Sequence, residues 1–326
     1  MASTARRLGT LLQWALAGAV LWFAGRAIAR QWTELAPALA RLDVRWSLVA
    51  LSGVVFLAAY ALLIQVWRST LAAWQDTLPF VVAARIWFVS NLGKYLPGKV
   101  WQIAAMGAMA QRHGVSPVAA VGSSLVLNLV SVVAGFAILL STAGGAFGRT
   151  NDGKIIGVSR PLLALLAGGG LLLLLATPWI IPRAASLAAR VFRRPLGPVR
   201  VPARAVWVGA LGTAAAWVLY GFAFQLLAAG TLGPPTGATW AYIAVYTSSY
   251  LAGYLALFTP GGLGVREAVM VLAMPQAGLA TTVDATVLAV ASRLWLTVLE
   301  ILPGLLLLAR GDARWRPRKS IDEVPS

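Results

Sequence analysis

The stretch Thr259-Pro260-Gly261-Gly262-Leu263-Gly264-Val265-Arg266-Glu267-Ala268 interrupts an apolar run that extends from about 238 to 275. Proline lacks a backbone donor and clashes with the preceding turn, and glycine leaves the helical basin readily, so a helix entering this stretch stops there. A second run, 79–111, is broken in the same way at Leu96-Pro97-Gly98-Lys99. The rest of the chain decides what surrounds these breaks. It is 59% hydrophobic and only 11% charged, with a mean hydropathy of +0.78, which makes a bilayer its solvent. Backbone groups freed within hydrocarbon are tolerated only against protein or a wet cavity. Each broken run therefore reads as a hairpin of two short helices with its tip held in the protein interior.

Outward from the breaks, apolar length and charged punctuation place spanning helices near 8–28, 47–67, 115–142, 160–181, 204–230 and 283–309, each long enough for a hydrocarbon core that needs roughly 20 residues. Arg6-Arg7 before the first apolar run also fits a signal peptide ending near Ala27-Ile28-Ala29; the length of the run favours a retained helix. Trp32, Leu35, Leu39, Leu42 and Trp46 are spaced like a helix lying in the interface.

With the N-terminus on the cytoplasmic side, fifteen Lys and Arg fall in inner connections and seven in outer ones, as the positive-inside rule requires. The outer cluster between Arg26 and Arg45 is its weak point. This orientation admits the first hairpin from the cytoplasm and the second from outside. The chain then divides into a first helix and interfacial segment (1–46), a repeat (47–142, hairpin 79–111), a connecting span and basic loop (143–203), a second repeat of opposite topology (204–309, hairpin 238–275) and a basic cytoplasmic tail (310–326). An offset of 165 residues aligns Gln102 with Glu267 and Asn128 with Arg293. Inverted repeats whose broken helices meet near the midplane are a transporter architecture.

Charge inside the apolar segments gathers at the breaks. Lys94 and Lys99 bracket the first, with Asn91 and Tyr95 nearby; Arg266 and Glu267 follow the second, and Arg293 and Glu300 lie on the last span. A charge at the bilayer centre costs at least about 2.5 kcal/mol on the insertion scale, so each needs a partner, water or a function. Helices restarting after Pro97-Gly98 and after Gly264 direct N–H groups and a positive dipole end into the cavity, which suits a phosphate. The bland alternatives are snorkelling for Arg85, Arg112, Lys94 and Lys99 and structural ion pairs for Arg266–Glu267 and Arg293–Glu300, with Glu267 competing for Arg293. His113 reads as an interfacial polar residue.

Other chemistries lack their residues. Without cysteine and with one histidine, there is no disulfide framework and no metal-ligand spacing. Gly168-Gly169-Gly170 sits in a leucine run without the context of a phosphate loop. Asp43, Asp76, Asp152 and Asp284 are scattered, so no carboxylate pair supports group transfer, and neither a catalytic constellation nor a cofactor is expected. The formal charge of +17 is spent between spans rather than on a soluble basic face, which argues against nucleic acid.

The motif from Asn91 to Lys99, together with that from Thr259 to Ala268, resembles the flippase-like transmembrane region of lysylphosphatidylglycerol synthases and their stand-alone relatives, over roughly 47–309. The resemblance implies two re-entrant, inversely oriented hairpins and translocation of an aminoacylated phosphatidylglycerol, a glycolipid or a polyprenyl-linked sugar. In the synthases an additional cytosolic domain performs aminoacyl transfer, so synthesis is not implied here. The chain departs from the family pattern at Lys99, often arginine, at Gln102, often acidic, and at Asn128, where charge is frequent.

The expectation is an all-α polytopic protein that moves an anionic or phosphate-bearing lipid across the cytoplasmic membrane, with both termini inside. Lys94, Lys99, Arg266 and Arg293 bind the anion, Asn91 and Tyr95 line its site, Glu267 holds the arginines, and Pro97, Gly98, Pro260, Gly261, Gly262 and Gly264 form the tips. Candidate partners are membrane lipids, a separate synthase or glycosyltransferase and a second copy of the chain. The competing readings are a membrane-embedded lipid or glycosyl transferase and a non-transporting partner of a separate synthase.

Overall fold

The computed structural model describes residues 43–95, 100–146, 203–256 and 260–309, with scattered positions between 161 and 183. The expected span 8–28, most of the interfacial segment, the basic loop, the tail and the tip Leu96–Lys99 lie outside the described residues.

The described residues form eight α-helices and no strand. In chain order they are α1 (Trp46–Ala72), α2 (Phe80–Asn91), α3 (Val100–Arg112), α4 (Pro117–Ala146), α5 (Ala203–Thr231), α6 (Thr239–Leu255), α7 (Val265–Gln276) and α8 (Thr282–Ala309). Described positions between Pro161 and Arg183 are helical as well. Four helices, α1, α4, α5 and α8, are long and apolar enough to cross a membrane, and each lies within a few residues of an expected span. The order long, short, short, long occurs twice. Adding 165 to the first residues of α3 and α4 gives the first residues of α7 and α8.

Helices α2, α3 and α7 have 12, 13 and 12 residues, which at about 1.5 Å per residue makes them no more than about 20 Å long. That is short of the roughly 30 Å of hydrocarbon. The arms of each hairpin pack against each other, and the two breaks come together: the 3₁₀ turn Leu92–Tyr95 and the turn Pro260–Gly262 approach within 8 Å between Cα atoms.

Helices α1 and α5 form the central pair, and they run antiparallel. The Arg45 N–H donates to the Gly230 carbonyl (2.8 Å) at one end, the Ser52 hydroxyl donates to the Ala223 carbonyl (2.7 Å) further along, and Val66 packs against Gly212 near the other end. Glycine makes the approach close: a Cβ on Gly212 would lie 2.2 Å from the Val66 side chain. Small residues at crossings let helices pack where lipid supplies no hydrophobic drive between them.

Each hairpin mouth is tied shut at its base. At the first, Asp76 Oδ2, just beyond α1, accepts hydrogen bonds from the backbone N–H (3.1 Å) and hydroxyl (2.8 Å) of Ser116, which precedes α4. At the second, the Thr236 hydroxyl, between α5 and α6, donates to the Leu279 carbonyl, between α7 and α8 (2.7 Å). The first tie lies next to the C-terminal end of α1. The second lies next to the C-terminal end of α5, which the Arg45–Gly230 bond places beside the N-terminal end of α1. The two mouths are thus separated by the length of α1, whose 27 residues span about 40 Å.

Candidate functional site

The break between α6 and α7 is built on left-handed glycines. Gly261, Gly262 and Gly264 have φ values of 58°, 71° and 83°, in a region that costs an L-residue roughly 1–2 kcal/mol. Gly262 also packs on Gly253 of α6 so closely that a Cβ would meet the Gly253 backbone at 2.8 Å. Two charged side chains hold this path. Glu267 Oε2 accepts the Gly264 N–H at 2.7 Å, and Arg293 Nη1, reaching from α8, donates to the Gly261 carbonyl at 3.0 Å. Arg293 Nε lies 3.8 Å from Glu267 Oε1. The carboxylate thus occupies the positive end of α7 that the sequence offered to a substrate phosphate, and the two residues brace the break.

Arg266 points elsewhere. Consecutive helical residues project about 100° apart, so its neighbour Glu267 faces Arg293 while Arg266 turns into the bundle against α6. It is buried, at 6% exposure. Its guanidinium carbon lies 5.0 Å from the Tyr246 ring centre and 4.9 Å from that of Tyr250, and the two rings stack 6.2 Å apart. The cation straddles the pair. A desolvated cation–π contact is worth about 2 kcal/mol, so two such contacts are of the size of the roughly 2.5–3.5 kcal/mol insertion cost of the charge. Arg266 has no carboxylate within ion-pair distance among the described residues, and its Nη2 is buried without a hydrogen-bond partner.

Tyr246 and Tyr250 belong to a larger aromatic cluster. Tyr60, Phe56, Tyr220, Tyr246 and Tyr250 make ring contacts in series at 5.3–6.2 Å with Trp217. At its far side the Tyr60 hydroxyl donates to Glu300 Oε1 at 2.5 Å. Glu300 is itself buried, at 4% exposure. The cluster therefore lies between a buried guanidinium and a buried carboxyl. Sequence reading left these tyrosines unremarked, although Tyr242, Tyr246, Tyr250 and Tyr254 recur every four residues, the interval that aligns side chains on one helix face.

Among the described residues, the groups that brace the first break are neutral. Gln102 Nε2, from α3, donates to Asn91 Oδ1 at the end of α2, and Asn91 is buried. Asn128 Oδ1 accepts the Tyr254 hydroxyl at 3.2 Å. Lys94 and Tyr95 fall in the 3₁₀ turn, with side chains outside the described residues, as are Pro97, Gly98 and Lys99 entirely. Of the expected site residues, the structure gathers Gly261, Gly262, Gly264, Arg266, Glu267 and Arg293 around one break that begins at Pro260, with Asn91 at the other. Arg112 is exposed at the end of α3, as expected of an interfacial cation. Among the described residues no group of His, Asp and Glu could hold a metal ion.

A cavity of about 370 Å³ opens between the α5–α6 and α7–α8 connections, against Tyr242 and Thr236. Its one charged lining residue is Asp284, so it is no anion site. A family model described as the lysylphosphatidylglycerol synthase TM region matches residues 10–304. No curated protein matches the chain.

Proposed function

Because the chain belongs to the lysylphosphatidylglycerol synthase transmembrane-region family, we propose that it is a lipid flippase or scramblase. It carries an anionic phospholipid, aminoacyl-phospholipid, glycolipid or polyprenyl-linked lipid across the cytoplasmic membrane, with both termini inside and no covalent step. The observation that carries this reading is Arg266: a guanidinium held deep in the bundle beside a helix break, with no carboxylate partner among the described residues and a free donor at Nη2. The two tyrosine rings support the charge, but a buried guanidinium donor without an acceptor calls for a ligand or water, and its complement is an oxyanion such as a phosphodiester.

Two features support transport rather than static binding. Three of the four hairpin arms, α2, α3 and α7, are too short to cross, and the mouths are tied at opposite ends of α1, which fits re-entrant hairpins entering from opposite leaflets. The antiparallel α1–α5 pair and the doubled helix order fit inverted repeats. A headgroup reaching the junction of the breaks would stand between two mouths, one per leaflet, while its tail stayed in lipid.

The test is headgroup translocation in proteoliposomes with labelled phosphatidylglycerol, glycolipid and polyprenyl phosphate. Arg266→Ala should slow translocation of the accepted lipid about 10- to 150-fold, the equivalent of losing a charged hydrogen bond of about 1.5–3 kcal/mol. An unchanged rate in folded Arg266→Ala protein removes this residue from the mechanism.

A further inference from the structure

Arg266 could bind an anion only if its long side chain were held still, and no ion pair among the described residues holds it. Glu267, the adjacent acid, is committed to the Gly264 N–H and faces Arg293. What fixes Arg266 is the pair Tyr246 and Tyr250, one turn apart on α6, on whose rings the guanidinium rests. The pair is itself wedged. Tyr246 packs on Phe56, Tyr220 and Phe224, and Tyr250 packs edge-on against Trp217 at 5.3 Å. Trp217 is in turn pinned by its indole N–H to the Ser131 carbonyl of α4 (2.9 Å). Gly253 completes the seat: a Cβ there would press the Arg266 Cβ at 3.1 Å.

We infer that Tyr250 and Tyr246 are positioning residues for anion recognition: they support the Arg266 guanidinium with their ring faces and so present its unpartnered Nη2 edge to an oxyanion. The inference rests on the reading of Arg266 as the anion site, and it adds a specificity rule. Because ring faces support the cation, the planar fork of arginine is required; lysine keeps the charge but loses both the stacked plane and the edge donors. Because the ring face matters at position 250 rather than the hydroxyl, phenylalanine serves there and leucine does not.

The experiment uses the full chain in two assays. The first measures thermal stabilisation of the purified protein by dioleoyl phosphatidylglycerol relative to dioleoyl phosphatidylcholine in mixed micelles. The second measures translocation of labelled phosphatidylglycerol in phosphatidylcholine vesicles against its mole fraction. Tyr250→Phe should keep the half-saturating mole fraction within twofold of wild type. Tyr250→Leu and Arg266→Lys should each raise it about tenfold and abolish most of the selective stabilisation. Tyr250→Leu protein that elutes as an aggregate is replaced by Tyr250→Met, which fills similar space without a ring and should behave as the leucine variant was expected to.

Leucine, methionine or lysine variants indistinguishable from wild type would overturn the inference, as would a phenylalanine variant as impaired as leucine. So would wild-type protein stabilised equally by the two lipids. Selective stabilisation that depends on Tyr250 in a protein that moves no lipid would retain the positioning role and sink the transport reading instead.

Discussion

At the residue scale, three charged side chains near one break do different work. Arg266 rests on two tyrosine rings with an unpartnered Nη2 and is the proposed anion site, whereas Glu267 and Arg293 hold backbone: the carboxylate caps the Gly264 N–H and the guanidinium reaches the Gly261 carbonyl. Removal should therefore separate them. Glu267→Ala loses a helix cap, worth about 0.5–2 kcal/mol, and leaves Arg293 without its nearby acid, so the unfolding temperature in detergent should fall. Arg266→Ala removes a buried charge that costs energy to hold, and should leave the melting temperature near wild type or above it while binding is lost. A Glu267→Ala protein as stable as wild type would contradict the bracing role. The sequence identified all three residues but not their division of labour. Adjacent numbers suggested an Arg266–Glu267 pair, yet neighbours on a helix do not face each other. The supporting tyrosines of α6 were open to reading as a four-residue repeat and were masked by the usual equation of aromatics with core.

At the scale of the elements, both breaks follow from local chemistry, which is why they were legible. Proline and glycine stop helices whatever surrounds them, and hairpin limits expected at 79–111 and 238–275 agree to about a residue with α2–α3 and α6–α7. What holds the broken ends was legible only in part. The 165-residue offset pairs Gln102 with Glu267, and each braces its own break, one through the Asn91 amide and the other through a backbone N–H and a nearby guanidinium. The close seat of the second break on α6 depends on tertiary contact and left no sequence signal beyond Gly253 itself. Gly262→Ala should be among the most damaging small changes in the chain: φ is 71° and the new Cβ would lie 2.8 Å from the Gly253 backbone. The two penalties together amount to at least about 2 kcal/mol. Loss of folded yield or a large fall in melting temperature is the expected readout, and a silent Gly262→Ala would mean that the break is not packed against Gly253.

For the whole molecule, apolar length located the four long helices because roughly 20 residues of hydrocarbon demand leave little choice. The mutual arrangement of those helices was not written in any one segment. The distribution of Lys and Arg leads to the expectation of hairpins on opposite sides, and the ties Asp76–Ser116 and Thr236–Leu279 lie at opposite ends of α1, which the proposal reads as opposite leaflets. The absence of cysteine makes the matter directly measurable. Single cysteines at Thr77, Gln111, Ala238 and Gln276, all exposed and flanking the hairpin arms, can be probed in the membrane from either face with an impermeant maleimide. Positions 77 and 111 should label together from the cytoplasmic face only, and 238 and 276 together from the outer face only. If 77 and 111 label from different faces, or if all four label from one, the hairpins do not enter from opposite leaflets and the proposed path between them does not exist.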